Sequence, residues 1–141
     1  MVTKTIYHYS LTGKTKAIFD YVDCTGFNVI DLRNISVDTF DFTGDVLIIA
    51  CPTYGRGAPP NLFKKLLRQL YKLESKKIGL LGSGNTIYGE DFCGALDVLE
   101  EILQSKNEII FKLPFEGYPR AEVIEQLNVE FNKLQNGEFI W

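Results

Sequence analysis

The run DVLIIAC at residues 45–51 decides the fold, and it ends abruptly at Pro52. Its last six residues are all apolar, with no polar residue to mark a solvent-facing side. A continuous apolar run of this kind is typical of a central parallel strand that is buried on both faces of the sheet. The rest of the chain should therefore supply neighbouring strands and the helices that cover both faces.

Short apolar runs and amphipathic stretches alternate on both sides of this strand. We predict four more strands, at Thr3–Tyr9, Phe27–Leu32, Lys77–Leu81 and Ile109–Leu113. We predict helices at Lys14–Val22, Pro60–Leu73, Phe92–Leu103 and Ala121–Leu134. This alternation favours an α/β fold, a three-layer sandwich with right-handed crossovers. Five strands in this length favour a five-stranded parallel sheet in the order 2-1-3-4-5.

Length, charge and cysteine content restrict the class of protein. The 141 residues fit one domain, residues 1–141. The net charge is −3 with the signs mixed along the chain, which argues against a nucleic-acid partner. No apolar run approaches the roughly 20 residues that span a bilayer, so we expect no membrane partner. The three cysteines lack metal-ligand spacing, so we expect no bound metal. Their odd number, and an N-terminus that begins a strand in place of a signal peptide, predict a cytoplasmic protein.

A phosphate site is predicted directly after the first strand. In the order 2-1-3-4-5 the ligand crevice lies at the carboxyl ends of strands one and three. The segment Ser10-Leu11-Thr12-Gly13-Lys14-Thr15 offers three hydroxyls, loop amides and a helix N-terminus, and Gly13 permits close backbone approach. Its spacing differs from the loops that bind nucleoside triphosphates or dinucleotides. A plain helix N-cap is the alternative interpretation.

Two further loops should meet the first at the same edge. The segment Pro52-Thr53-Tyr54-Gly55-Arg56-Gly57 follows strand three, and its glycines tolerate both signs of φ. After strand four come Ser83, Gly84, Asn85, Tyr88, Gly89 and Phe92. Tyr88 could stack on a planar ring or cap the edge of the sheet. A phosphate loop, a glycine-rich loop and an aromatic loop together predict a flat, phosphorylated ring cofactor.

In these three loops the chain resembles the flavodoxins. The first loop matches their S/T-x-T-G-x-T pattern, and Phe92–Glu101 looks like the helix after their third FMN loop. The resemblance implies a flavodoxin-like sandwich with FMN as cofactor. It implies that Ser10–Thr15 hold the phosphate, that Tyr88 stacks on the ring with Tyr54 opposite, and that Tyr54–Gly57 face N5. Ser83–Asn85 would lie by the pyrimidine edge.

Within that superfamily the chain looks most like the NrdI group. The supporting residues are Pro52–Gly57, Ser83–Asn85, Tyr88-Gly89 and Phe115–Gly117, and flavodoxins more often carry an acidic residue at Asn85. This resemblance implies an electron-transfer flavoprotein rather than a stand-alone enzyme. It would supply flavin-derived oxidant or electrons to the dimanganese small subunit of class Ib ribonucleotide reductase.

Two alternatives stay open. One is an ordinary flavodoxin that shuttles electrons between a flavodoxin reductase and low-potential acceptors. The other is a binding module of the same fold that holds no flavin, since fold does not determine function.

Overall fold

The computed structural model describes residues 3–9, 18–52, 61–84, 94–116 and 120–135. The strands are β1 (Lys4–His8), β2 (Phe27–Asp31), β3 (Val46–Pro52), β4 (Lys77–Gly84) and β5 (Glu108–Glu116). The α-helices of this part of the chain are α1 (Asn61–Lys65), α2 (Leu67–Lys72), α3 (Gly94–Leu103) and α4 (Ala121–Gln135). Short 3-10 turns span Ile18–Asp20 and Leu32–Asn34.

All five strands form one parallel sheet in the order β2-β1-β3-β4-β5, which confirms the predicted topology. β3 lies at the centre, as its apolar run predicts. Each of its residues from Val46 to Cys51 has no solvent-exposed surface. Full burial of a Leu or Ile side chain stabilises a fold by roughly 1.5–3 kcal/mol, so this strand anchors the core on both faces.

Helices cover both faces of the sheet. On one face, α1, α2 and α3 pack on the odd-numbered side chains of β3 through Phe63, Leu70 and Leu99. On the other face, α4 packs on the even-numbered side chains through Leu127 and Phe131. The three-layer sandwich is therefore confirmed. None of the helices in the described part of the chain combines the length and apolar character that a membrane span requires.

Three strands run further than predicted, and β3 does so by one residue, Pro52, which was predicted to begin the following loop. β4 continues through Gly82 to Gly84 because β3 and β5 pair with it on both sides. β5 continues to Glu116 and includes Pro114, which an edge strand tolerates because a proline there need not donate to a neighbour. β5 also bulges, since Ile109 and Phe111 are the partners of consecutive β4 residues and Ile110 is left over.

The first two helical predictions need correction. The chain turns at Ile18–Asp20 and is no longer helical at Tyr21, and residues 14–17 lie outside the described part. Helical spacing predicts Tyr21 on the apolar face of this helix, but 64% of its surface is exposed. The helix predicted from Pro60 to Leu73 is interrupted at Leu66. The amide of Leu66 donates hydrogen bonds to the carbonyls of both Leu62, at 3.1 Å, and Phe63, at 3.2 Å.

The Tyr7 hydroxyl ties β1 to the connection that precedes β3. This fully buried hydroxyl accepts a hydrogen bond from the Thr43 amide at 2.7 Å and donates one to the Thr43 carbonyl at 2.9 Å. Its ring also meets Phe40 and Phe42 edge to face. The hydroxyl therefore satisfies the amide and the carbonyl of Thr43, which lies outside the sheet.

We expect Tyr7→Phe to lower the free energy of unfolding by about 1–3 kcal/mol, because the ring shape is kept while the Thr43 amide loses its acceptor. Urea unfolding measures this change. Tyr71→Phe, at a tyrosine with 56% of its surface exposed, is the matched control and should change stability by less than about 0.5 kcal/mol. Equal effects of the two variants would contradict a role for the Tyr7 hydroxyl.

Candidate functional site

The carboxyl ends of β1, β3 and β4 lie side by side at one edge of the sheet, here called the carboxyl edge. The Tyr9 amide donates to the Ala50 carbonyl at 2.9 Å, so the pairing of β1 with β3 extends one residue past His8. Pro52 at the end of β3 stands opposite Ser83 of β4. The three segments that follow these strands therefore leave the sheet from neighbouring points.

The order of the strands reverses at this edge. From β1 the chain goes to β2 on one side, then crosses to β3 on the other side of β1. Helical connections on opposite faces leave a crevice outside the carboxyl ends of β1 and β3, where α/β sheets bind ligands. The predicted phosphate loop begins at Ser10, two residues after β1 ends.

Three of the predicted site residues are described, and all three lie at the carboxyl edge. Pro52 is half-buried, Ser83 is 7% exposed, and Gly84 ends β4 opposite Glu116. Ser83 and Gly84 were predicted in a loop, but both lie within β4. The remaining predicted residues fall outside the described part of the chain: Ser10, Leu11, Thr12, Gly13, Lys14, Thr15, Thr53, Tyr54, Gly55, Arg56, Gly57, Asn85, Tyr88, Gly89 and Phe92.

Gly82 is a positioning residue that sequence reasoning missed. A Cβ at this position would overlap the Cys51 carbonyl oxygen and lie 3.0 Å from Leu96 Cδ2. Only glycine lets β4 and α3 approach so closely here, and this approach sets the position of Ser83 at the end of the strand. The available signal was a glycine directly after the apolar run of β4, but Ser83, Gly84 and Asn85 beside it indicate a turn instead.

An ion pair stands at the end of β2, beside β1. The Arg33 guanidinium lies 3.1 Å from the Asp31 carboxylate, and the Arg33 amide donates to the same carboxylate at 3.0 Å. Asp31 is also the register partner of His8, which is 4% exposed and lies 6.1 Å from the Phe19 ring. Burial opposes ionisation of Asp31 and raises the pKa of its carboxyl. The hydrogen bonds from Arg33, together with the charges of His8 and Arg33, outweigh burial and lower this pKa below its ordinary value.

The lowered pKa gives a prediction for acid stability. Because the folded state binds the proton of Asp31 less tightly than the unfolded state, its ionised form stabilises the fold at neutral pH. This contribution is lost as the pH falls below about 4 and through the folded-state pKa.

Asp31→Asn should therefore lower stability at pH 7 by less than about 1 kcal/mol, since the pair is partly exposed, and have less effect near pH 3. Urea unfolding at both pH values measures this difference. Asp38→Asn, at an exposed carboxylate in the same connection, is the control. A loss of stability that does not depend on pH would contradict the assignment.

Comparison with known proteins identifies the family. A family model described as flavodoxin matches residues 6–123, which run from within β1 to the start of α4 and include the whole of β2, β3, β4 and β5. The curated flavodoxin of Maridesulfovibrio salexigens is 28% identical and covers 84% of this chain and 89% of its own length. The solved flavodoxin of Streptococcus pneumoniae TIGR4 is 28% identical, with 96% and 99% of the two chains covered and a TM-score of 0.79.

A third relative was solved with its cofactor. A variant flavodoxin of Fusobacterium nucleatum, bound to flavin mononucleotide, is 29% identical over 80% of this chain and 68% of its own, with a TM-score of 0.62. The matched family model covers well over half of the chain, and the strand order is the one that the alternation of five strands with helices predicted. This chain belongs to the flavodoxin family.

Proposed function

We propose that this protein binds FMN at the carboxyl edge and carries electrons between partner proteins. The observation that carries the proposal is the position of the Ser10–Thr15 pattern, directly after β1 and at the point where the strand order reverses. Family membership supports it, as does the FMN bound by the Fusobacterium relative. Bound FMN supplies the redox chemistry, and the protein supplies binding, orientation and electrostatics.

The described residues at this edge are compatible with a phosphorylated ring. The Asp31 carboxylate is paired with Arg33, so it repels a phosphate group less than a lone carboxylate would. The ends of β1 and β3 are held together by the bond from Tyr9 to Ala50, so the chain leaves both strands from adjacent points. Ser83 brings a hydroxyl to the end of the neighbouring strand, where we place the pyrimidine edge of the ring.

Each loop then has a separate role in the proposal. The hydroxyls and amides of Ser10–Thr15 hold the phosphate. Tyr88 and Tyr54 enclose the ring, and the backbone of Tyr54–Gly57 faces N5. Ser83, Gly84 and Asn85 contact the pyrimidine edge, with Gly89 and Phe92 completing the third loop.

The phosphate loop is tested by comparing FMN with riboflavin, which lacks the phosphate. We expect Thr12→Ala/Thr15→Ala to weaken FMN binding by at least about tenfold, because each hydroxyl bond to a charged group is worth roughly 1.5–3 kcal/mol. Riboflavin binding should change little. Quenching of flavin fluorescence measures both affinities.

Thr39→Ala, at an exposed threonine in the connection before β3, is the matched control and should leave both affinities unchanged. A chain that binds neither flavin would overturn the proposal and establish the flavin-free alternative. Equal losses for FMN and riboflavin would place the phosphate elsewhere.

We propose further that the electrons or the flavin-derived oxidant go to the dimanganese small subunit of class Ib ribonucleotide reductase, as in the NrdI group. Asn85 and the Gly55-Arg56-Gly57 segment support this acceptor, because flavodoxins of very low potential use carboxylates near the ring. A unit charge about 4 Å away costs roughly 4 kcal/mol at an effective dielectric of about 20. An amide in place of a carboxylate therefore raises the last potential by up to about 170 mV.

An ordinary flavodoxin with a flavodoxin reductase as partner is the second candidate. The Phe92–Glu101 segment favours it, and so do Glu90 and Asp91, whose charges would lower the potential. These acidic residues also suit the start of a helix in any protein, because the helix dipole favours negative charge there. The redox potentials separate the two candidates.

We expect two closely spaced potentials in the wild-type protein, and we expect Asn85→Asp to lower the second by tens of millivolts up to about 170 mV. Reductive titration with dithionite measures both potentials. Asn132→Asp, an identical change at an exposed position on α4, is the control and should shift neither. Widely separated potentials with a very low second step would favour the ordinary flavodoxin and count against the NrdI-type role.

A further inference from the structure

The charges of this protein are segregated. Residues 61–77, which hold α1, α2 and the start of β4, contain six Lys or Arg and one Glu. The whole chain carries a net charge of −3, so the remainder has an excess of eight acidic residues. We expected positive and negative residues to be mixed along the whole chain. Instead, one helical segment is strongly basic.

Four of these cations form what we call the basic face: Lys64, Lys65, Arg68 and Lys72. All four are exposed, and none makes an ion pair with another of the described residues. In contrast, Lys112 on the other side of α3 pairs with Asp97 and Glu100. Within the described ranges, the basic face is thus a set of cations that lie outside any ion-pair network.

An apolar groove runs beside the basic face, between α2 and α3. Its volume is about 200 Å³, and its floor is formed by the buried side chains of Phe63, Leu70 and Leu99. Leu67 and Val98 line its two walls and are 38% and 37% exposed. Helical spacing predicts Leu67 on the apolar face of the Pro60–Leu73 helix, with Phe63 and Leu70, so its exposure beside the groove departs from that pattern.

Two more side chains extend this surface. Tyr71 lies one turn after Leu67 and has 56% of its surface exposed. Lys64 belongs both to the groove wall and to the basic face. Cations and large apolar side chains therefore alternate along one helix, beside a concave apolar strip.

We propose that this surface binds an acidic amphipathic helix of a partner protein. Its apolar residues would fill the groove between α2 and α3, and its carboxylates would meet the basic face, which is the helix-in-groove mode of recognition. The proposal does not depend on flavin binding. It adds a docking surface on α1, α2 and α3, in the layer that covers one face of the sheet.

Charge and shape favour this occupant over others. Nucleic acid would satisfy the cations with phosphates but leave the apolar groove and Leu67 unfilled. A bilayer would require a protruding apolar surface rather than a groove. A second copy would bring its acidic surface from elsewhere on the chain, and such a head-to-tail contact does not close into a dimer.

The test uses the ¹⁵N-labelled full chain, supplied with FMN, and amide chemical shifts as the readout. The probe is a synthetic peptide of about 16 residues with Leu at helical spacings and Glu elsewhere, and its control is a scrambled peptide of the same composition. We expect saturable shifts confined to α1, α2 and α3 with the patterned peptide, and weaker binding of the scrambled one. Because the readout is the protein's own amides, it reports docking whether or not the flavin binds.

The charges and the groove are tested separately. Lys64→Glu/Arg68→Glu should weaken binding by about tenfold, because two attractive contacts become repulsive. Leu67→Ser should weaken binding with the charges unchanged. Arg120→Glu/Lys133→Glu alters charge equally at the residue before α4 and on α4 itself, across the sheet, and should have little effect. The amide spectra of the unbound variants show that each is folded.

Four results would overturn the proposal. The first is equal affinity for the patterned and scrambled peptides, and the second is no shift with either. The third is tighter binding of a labelled DNA oligonucleotide, or of vesicles containing phosphatidylserine, that the Lys64→Glu/Arg68→Glu variant abolishes. The fourth is concentration-dependent self-association that the same variant abolishes, which would identify a second copy as the occupant.

Discussion

The parallel pairing of β1 with β3 is the contact on which the rest of the structure depends. Its register runs from Lys4 opposite Val46 to His8 opposite Ala50, and backbone bonds continue it at both ends, through Thr3 and Tyr9. A slip of one residue would move every side chain of β3 to the opposite face. The same register brings the carboxyl ends of β1 and β3 side by side, so core packing and the position of the crevice follow from one set of hydrogen bonds.

The sequence predicted the architecture well because its strongest signals are local. The apolar run of β3 and the alternation of strands and helices were sufficient for the sheet order. The ends of β4 and β5 were missed because Gly82 and Pro114 are turn signals along the chain, and only pairing with a neighbouring strand overrides them. The pair of Asp31 and Arg33 was missed for a related reason, since it lies beside His8 only once β2 is placed next to β1.

The basic face shows a different limit. A net charge is a sum, and a small sum is equally consistent with dispersed and with segregated charges. The spacing of Lys64, Arg68 and Lys72, four residues apart, places three cations on one helical surface and was readable from the sequence. The exposure of Leu67 was not, because the interruption at Leu66 changes which side chains face the sheet.

The two outer strands of this sheet have features that bear on the behaviour of the protein at high concentration. β5 carries a bulge at Ile110, a proline at 114 and the charged Lys112, while β2 is only five residues long and has the Lys4 amine 5.3 Å from the Phe27 ring. Each of these features hinders a further strand from adding to an open sheet edge. These features therefore protect the sheet, whose central strand β3 is almost wholly apolar, from edge-to-edge association.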